Sequence, residues 1–282
     1  MAGSGRFVAA CVQMRVTDDK ERNLAVAESL IASAAGRGAS LIVLPEMFSW
    51  RGPAEGVAGA SESLDGPTLT RIGAAARQHR VSVVAGSIYE SHPDGALPYN
   101  TCAVFGPDGS SLGRYRKIHL FDVAIPGRVE VRESDRMAAG QEIVCVDVPA
   151  ARLGLSICYD LRFPELYRHL VGEDAKLVCV PSAFTHATGA AHWEVLLRAR
   201  AIENQVYVLA PNQVGPTVEG PPVWGGSSIV DPWGVVLARA PDNECVITAE
   251  IDLEHLEEVR AGLPCREHAR LDHRSEVRRG PR

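Results

Sequence analysis

Short apolar runs recur along the whole chain, and most are apolar nearly end to end. "FVAACVQM", "LIVLPE", "VSVVAGSIYE", "NTCAVFG", "RLGLSIC" and "KLVCVPSAF" are examples. A strand with one wet face alternates polar and apolar residues, whereas a continuous run reads as a strand covered on both faces. Helical patterns alternate with these runs. Residues 19–36 carry Leu24, Val26, Ala27, Leu30 and Ile31 at helical spacing, and residues 67–79 open on Pro67 with Asp65 as the expected cap. Further helices are expected over residues 163–171, 191–204 and 252–261.

Two hairpins look alike. "CAVFGPDGSSLGRYRK" and "SSIVDPWGVVLARA" each set a Pro-x-Gly turn between apolar strands, proline fixing φ and glycine allowing φ > 0. Strand–helix–strand traffic precedes both. This reads as an internal duplication: two α/β halves packed as one sandwich, helices outside and two sheets inside. No Ser/Gly/Pro-rich linker divides them, so one domain is expected. Residues 122–140 show no clear periodicity and many charges, and read as a long loop of the kind that surrounds a site.

Several function classes are disfavoured at once. The net charge is −6, which offers no electrostatic footprint for nucleic acid. The basic cluster at the end, "CREHARLDHRSEVRRGPR", reads as a tail that is solvated or docked on a partner subunit. No apolar run approaches the roughly 20 residues that span a bilayer, and "MAGSGRFVAACVQM" lacks the layout of a signal peptide. Seven cysteines without a CxxC pair point to reduced thiols and a cytoplasmic protein. No HExxH occurs, and the spacing of His186 and His192 suits no familiar metal site, so neither metal nor cofactor is expected.

Cys11, Cys102, Cys145, Cys179 and Cys245 lie in or against β-branched runs and read as small buried hydrophobes. Cys265 follows a proline near the tail. Cys158 differs, because it ends "RLGLSI" and opens "YDLRFPEL" at a strand-to-helix junction. There, backbone N–H groups and a helix dipole can favour a thiolate. Local context leaves two readings, a nucleophile or one more core thiol.

Attack on an amide or nitrile needs a positive partner for the oxyanion and an acid/base for departing ammonia. "LIVLPEM" puts Glu46 just past a buried strand, where α/β sheets gather catalytic groups. "LGRYRKIHLFD" does the same for Lys117. Of the 29 basic residues only Lys20, Lys117 and Lys176 are lysine, so an ammonium amid "RYRKIH" stands out. Lys20 and Lys176 read as surface charges.

"LPEMF", "GRYRKIHLFD" and "SICYDLRFPEL", in that order, closely resemble the nitrilase (carbon–nitrogen hydrolase) superfamily. The likeness continues through "PSAF" and "AHWEVLLRARAIENQVYV" to "SSIVDPWGVVLA", covering about residues 7–271. "AHWEVLLRARA" and "FDVAIPGRVEVRES" make the chain similar to the Nit branch, which holds ω-amidases and deaminated-glutathione amidases. The resemblance implies a four-layer αββα sandwich over residues 1–271, with residues 272–282 as a basic tail. It implies Cys158 as nucleophile, Glu46 as general base, and Lys117 with the Tyr159 N–H as oxyanion partners. Glu133, in "VRES", would fix Lys117 and the substrate; otherwise it pairs with Arg132 or Arg136. Members commonly dimerise, so at least a homodimer is expected. Nit sequences usually read "GHS" where this chain has "WGGSS", so Gly226 replaces a histidine, a change bearing on the pocket or a subunit contact.

Arg162 lies about one helical turn past Cys158 and would clamp a substrate carboxylate; the alternative is a salt bridge to Asp160 or Glu165. Phe184 and Thr185 would line the pocket, and His192 suits capping or packing. The expected reaction is hydrolysis of a small carboxylate-bearing amide through a thioester, with deaminated glutathione slightly ahead of α-ketoglutaramate. Another linear amide, an N-carbamoyl compound or a nitrile is the alternative substrate. A scaffold protein retaining the fold is the non-enzyme alternative.

Overall fold

The computed structural model describes residues 5–270; the tail expected over residues 272–282 lies outside them. In chain order the strands are β1 (Arg6–Gln13), β2 (Ala39–Val43), β3 (Ser82–Glu90), β4 (Tyr99–Phe105), β5 (Ser111–Arg116), β6 (Asp122–Ile125), β7 (Val129–Arg132) and β8 (Cys145–Val148). They continue as β9 (Ala151–Leu155), β10 (Leu177–Cys179), β11 (Tyr207–Ala210), β12 (Val214–Gly215), β13 (Val223–Trp224), β14 (Ser228–Val230), β15 (Val236–Arg239) and β16 (Cys245–Asp252). The helices are α1 (Lys20–Gly36), α2 (Val57–Ala60), α3 (Pro67–His79), α4 (Pro164–Gly172), α5 (His186–Asn204), α6 (Leu253–Gly262) and α7 (Cys265–His268).

The two large sheets run β16-β1-β2-β3-β4-β5 and β8-β9-β10-β11-β14-β15. In the first, β1, β2 and β3 are parallel, β4 and β5 follow antiparallel, and β16 flanks β1 antiparallel. The second repeats this with β9, β10 and β11 parallel, β14 and β15 antiparallel, and β8 flanking β9. The duplication read from two hairpins therefore extends through whole sheets. Each hairpin turns on a glycine at positive φ, Gly109 at 82° and Gly234 at 88°.

Alternation along single strands builds the layers. In β1, Ala9 and Cys11 point into the core between the sheets, with Leu41, Val84, Leu155 and Leu177. Ala10 and Val12 point the other way, against Leu24, Ala27 and Ile31 of α1 and Leu69 and Ile72 of α3. On the far side α4 and α5 cover the second sheet. The central strands of each sheet are dry on both faces, which is why they are continuously apolar. The result is the four-layer αββα sandwich.

Five local expectations need correction. Residues 122–140 are not loop throughout, because β6 and β7 pair as a hairpin, Asp122 opposite Arg132 and Ile125 opposite Val129, around Gly127 at φ 70°. Charges between its apolar residues had masked the strand period. Helix α5 begins at His186, five residues before the expected start; it passes through Gly189 because a Cβ there would stand 2.4 Å from the Trp224 side chain. Asp65 does not cap α3. Glu62 accepts the Thr68 N–H at 2.9 Å instead and also pairs with Lys20, which is therefore mostly buried rather than a surface charge. Of the five cysteines expected in the core, Cys11, Cys102 and Cys179 are fully buried, while Cys145 and Cys245 are half-buried at strand ends.

Candidate active site

Four strand ends meet at one hollow. Glu46 follows β2, Lys117 follows β5, Cys158 follows β9, and Ala183, Phe184 and Thr185 follow β10. Ligands in open α/β sheets gather at this carboxyl end. The hollow has a volume of about 340 Å³, at the small end of the range for small-molecule sites.

Lys117 sits between two carboxylates. Its Nζ lies 2.9 Å from Glu46 Oε1, and 3.0 and 2.8 Å from the two oxygens of Glu133. Asn100 Nδ2 donates to both, at 2.8 Å to Glu46 Oε1 and 3.3 Å to Glu133 Oε1. The second Glu46 oxygen accepts the Ala183 N–H at 2.8 Å, and Glu133 Oε2 accepts the Phe121 N–H at 2.6 Å. Glu133 thus pairs with Lys117, not with Arg132 or Arg136. Neutralised and hydrogen-bonded on several sides, the charges can stand burial.

The backbone seats Glu46 as firmly. Gly86 lies so near the preceding turn that a Cβ would fall 1.9 Å from the Leu44 carbonyl oxygen. Beside it, Ser87 Oγ accepts the Met47 N–H at 2.8 Å, and Gln213 Nε2 donates to the Glu46 carbonyl at 2.7 Å.

The electrostatics define the resting protonation. Burial pushes the Lys117 ammonium toward neutrality, but Glu133 and Glu46 outweigh it and hold the amine charged well above its ordinary range. Burial raises Glu46, yet Lys117 and the hydrogen bonds from Lys117, Cys158 and Asn100 bring it below the usual carboxylate range. Burial first, and the Glu46 charge second, push the Cys158 thiol well up against the pull of Lys117. Backbone N–H groups and a helix dipole at this junction can favour a thiolate. Burial and the Glu46 charge outweigh any such help, and Cys158 opens only a short 3-10 turn, Cys158–Arg162.

Cys158 occupies the left-handed region at φ 47°, a conformation that costs a non-glycine residue on the order of 1–3 kcal/mol. The surroundings hold it there. Its N–H donates to the Pro181 carbonyl at 2.9 Å, and buried Asp160 braces the turn. Asp160 Oδ2 accepts the Ile157 N–H at 2.8 Å and the Tyr115 hydroxyl at 2.7 Å; its Oδ1 accepts the His119 N–H at 3.1 Å and meets His119 Nδ1 at 2.7 Å. The Tyr159 N–H, next along the turn, has no acceptor among the described residues.

Phe184 and Thr185 line the hollow as expected. Phe184 is fixed by the Trp193 ring at 5.0 Å, and Thr185 Oγ1 by Thr188 Oγ1 at 2.8 Å. Arg162 makes no salt bridge to Asp160 or Glu165 among the described residues. It is not among the lining residues; its guanidinium lies over the Phe184 and Tyr159 rings, 5.3 and 5.8 Å from their centroids, and 3.3 Å from His192 Nδ1. Gly226 also stays off the lining, with its carbonyl accepting the Trp193 indole N–H at 2.8 Å.

Sequence reasoning missed Asn100, Asp160, Gln213 and Arg51. No local signal marks Asn100 and Gln213, because each acts on a residue far off in the chain, and Asp160 joins its own turn to Tyr115, 45 positions away. Arg51 lines the hollow five residues beyond Glu46, and proximity to "LPEM" was a usable hint. No three His, Cys, Asp or Glu side chains among the described residues converge as metal ligands would.

Known proteins share this architecture. Omega-amidase NIT2 of Xenopus tropicalis is 40% identical over 267 residues, which is 95% of this chain and 96% of that protein. The crystal structure of the Caenorhabditis elegans NitFhit protein superposes with a TM-score of 0.87 at 39% identity, over 95% of this chain and 66% of that longer one. Saccharomyces cerevisiae Nit3, a member of branch 10 of the nitrilase superfamily, superposes with a TM-score of 0.84 at 31% identity, over 92% and 94% of the two chains. Residues 8–261 match the family described as carbon-nitrogen hydrolase. With that match over most of its length, the chain belongs to the carbon–nitrogen hydrolase family.

Proposed function

We propose that the protein is a cysteine-dependent amidase that hydrolyses the terminal amide of a small α-keto acid. The observation that carries this reading is the closed Glu46–Lys117–Glu133 network beside the Cys158 thiol. Glu46, ionised against a neutral thiol, takes the Cys158 proton as Sγ attacks the amide carbonyl carbon. The developing oxyanion is held by Lys117 Nζ and the free Tyr159 N–H, each such donor being worth about 10²–10³ in rate. Glu46 then passes the proton to departing ammonia, leaving a thioester on Cys158. Water, deprotonated by Glu46, attacks the thioester; the acid leaves and the thiol is restored. Glu133 keeps Lys117 charged and in place throughout.

The 340 Å³ hollow suits a short substrate, and the relative from Xenopus tropicalis is named an omega-amidase. Together these favour α-ketoglutaramate over the longer deaminated glutathione. Ammonia release is measured over α-keto acid ω-amides, plain dicarboxylic monoamides, N-carbamoyl acids and nitriles, with Cys158→Ala in parallel. The ω-amides are expected to release most ammonia from the wild type, and the variant none. Equal turnover by both proteins overturns the assignment.

We further infer a cytoplasmic homodimer. Seven unpaired cysteines suit a reducing compartment. Exposed Ile202 of α5 abuts the turn at Gly234, which lies between exposed Trp233 and Val235. Such an apolar cluster suits a subunit contact. Sedimentation of Trp233→Glu as monomer, beside a dimeric wild type, is the expected result.

A further inference from the structure

The hollow contains a cation that the network above does not use. The Arg51 N–H donates to the Thr17 carbonyl at 2.9 Å, which fixes the backbone, and the side chain turns into the hollow. There Nη1 donates to Gln213 Oε1 at 3.3 Å. That is the guanidinium's one acceptor among the described residues, and no carboxylate stands within ion-pair distance. Burial holds its pKa below the ordinary arginine value, against the attraction of Glu46, Tyr89, Cys158 and Glu133. A guanidinium offers five donors in a planar fork that matches a carboxylate. With one of them weakly occupied in a half-buried place, the group is short of an anion.

Gln213 gives the position its rigidity. Its amide nitrogen holds the Glu46 carbonyl at 2.7 Å while its amide oxygen receives Arg51. One side chain thereby sets the distance between the proposed base and the free cation. Trp50, edge-on to Tyr89 with centroids 5.8 Å apart, braces the same segment from behind.

The other arginines nearby are less suited. Arg132 and Arg136 line the rim but are solvent-exposed, where water and salt weaken a single ion pair. Arg162, expected to hold an acid group, is engaged with two aromatic rings and His192, outside the lining.

We propose that Arg51 is the specificity-determining residue of this site, taking the free carboxylate of the substrate in a bidentate pair while the amide lies against Cys158. This rests on the amidase reading and narrows it: the substrate is an ω-amide whose far end is an anion. Neutral amides of the same length enter the hollow but leave the guanidinium unpaired.

The test is calorimetric titration of the Cys158→Ala protein with glutaramate and with its methyl ester, which keeps the length and loses the charge. Glutaramate is expected to bind on the order of 30-fold tighter than the ester, the size of one charge-assisted pair. In the added background of R51Q the acid should fall to the level of the ester, with the ester unchanged. R51K, which keeps a charge without the fork, should lie between. The unchanged ester affinity shows that the variants are folded. The proposal is overturned if acid and ester bind equally before Arg51 is altered, if both fall together in R51Q, or if R162Q removes the preference and R51Q does not. Failure of the amidase reading is read separately, as a wild type that releases no ammonia from any amide.

Discussion

Tyr115 and Asp160 join across the sandwich: the hydroxyl at the end of β5 donates to the buried carboxylate two residues after Cys158, at 2.7 Å. Lys117 follows Tyr115 by two residues, so one hydrogen bond ties the strand that delivers the ammonium to the turn that delivers the thiol. Asp160 gathers the Ile157 N–H and two His119 nitrogens on the same carboxylate. Tyr115→Phe removes one donor and leaves the others. It should lower stability by about 1.5–3 kcal/mol, read as a shift in the urea midpoint, with a smaller loss of turnover. Asp160→Ala strands several buried donors at once and should cost more, about 3–5 kcal/mol. Equal midpoints for the two variants would show that Asp160 braces nothing beyond the tyrosine.

Glu46 and Cys158 oppose each other electrostatically, and the sign of that opposition is testable. Burial and then the Glu46 charge raise the thiol pKa, while Lys117 lowers it. Glu46→Gln deletes a raising cause and keeps the lowering one, so the thiolate fraction at any given pH must increase. Alkylation of Cys158 by iodoacetamide at pH 8, followed by peptide mass, should therefore run faster in Glu46→Gln than in the wild type. Ammonia release should fall by about 10²–10⁴ because the proton carrier is gone. In the wild type at neutral pH, exposed Cys265 should be labelled before Cys158. Slower alkylation in the variant would mean that Glu46 activates the thiol in the resting state.

How much of this was readable beforehand follows from chemistry at strand ends. Glu46 and Cys158 each end an apolar run with a reactive group, and Lys117 is a rare lysine amid arginines, all of which a single sequence displays. Asp160, Asn100, Gln213 and Arg51 carry no motif of their own, and their partners lie 45, 54, 167 and 162 positions away. Strand order β2-β3-β4 brings Asn100 to Glu46, and only closure of the two sheets brings the other three pairs together. Arg162 lies off the lining for a related reason. Counting one helical turn from Cys158 located its backbone, but the aromatic rings of Tyr159 and Phe184 took its side chain.

Lys117 makes the site's stability depend on pH in a defined direction. In the wild type, Glu46 titrates below its unfolded range. Its contribution is therefore present above about pH 4.3 and is lost as pH falls through the folded value. The raised Lys117 pKa contributes below about pH 10.4 and is lost only as pH climbs through its folded value. Lys117→Met removes the cation and leaves burial, the largest influence on Glu46, largely unopposed. The carboxyl then titrates above its unfolded value, so the folded state binds the extra proton. Thermal unfolding of the variant should show stability falling from pH 5 to pH 8, while the wild type stays flat over that window. A variant as flat as the wild type would mean that Glu46 is held by its other donors alone.

Gly86 offers a test of whether the backbone places Glu46. The Leu44 N–H donates to the Val84 carbonyl at 2.9 Å, and the two segments run so close that a methyl at Gly86 would meet the Leu44 and Pro45 carbonyl oxygens at 1.9 and 2.5 Å. Neither oxygen belongs to a flexible side chain, so Gly86→Ala must push the "LPEM" turn away from β3. The first contact to suffer is Ser87 Oγ with the Met47 N–H, one residue from the carboxylate. Overpacking of this kind costs about 1–3 kcal/mol, and a displacement near 1 Å at a reacting group costs about 10²-fold in rate. Because substrate contacts at Arg51, Phe184 and Thr185 lie on other segments or further along the loop, the loss should fall on kcat with KM nearly kept. Gly86→Ala is therefore expected to fold, bind substrate and turn over slowly. A loss confined to KM would place the displaced turn in binding, and would remove the case that β3 positions the base.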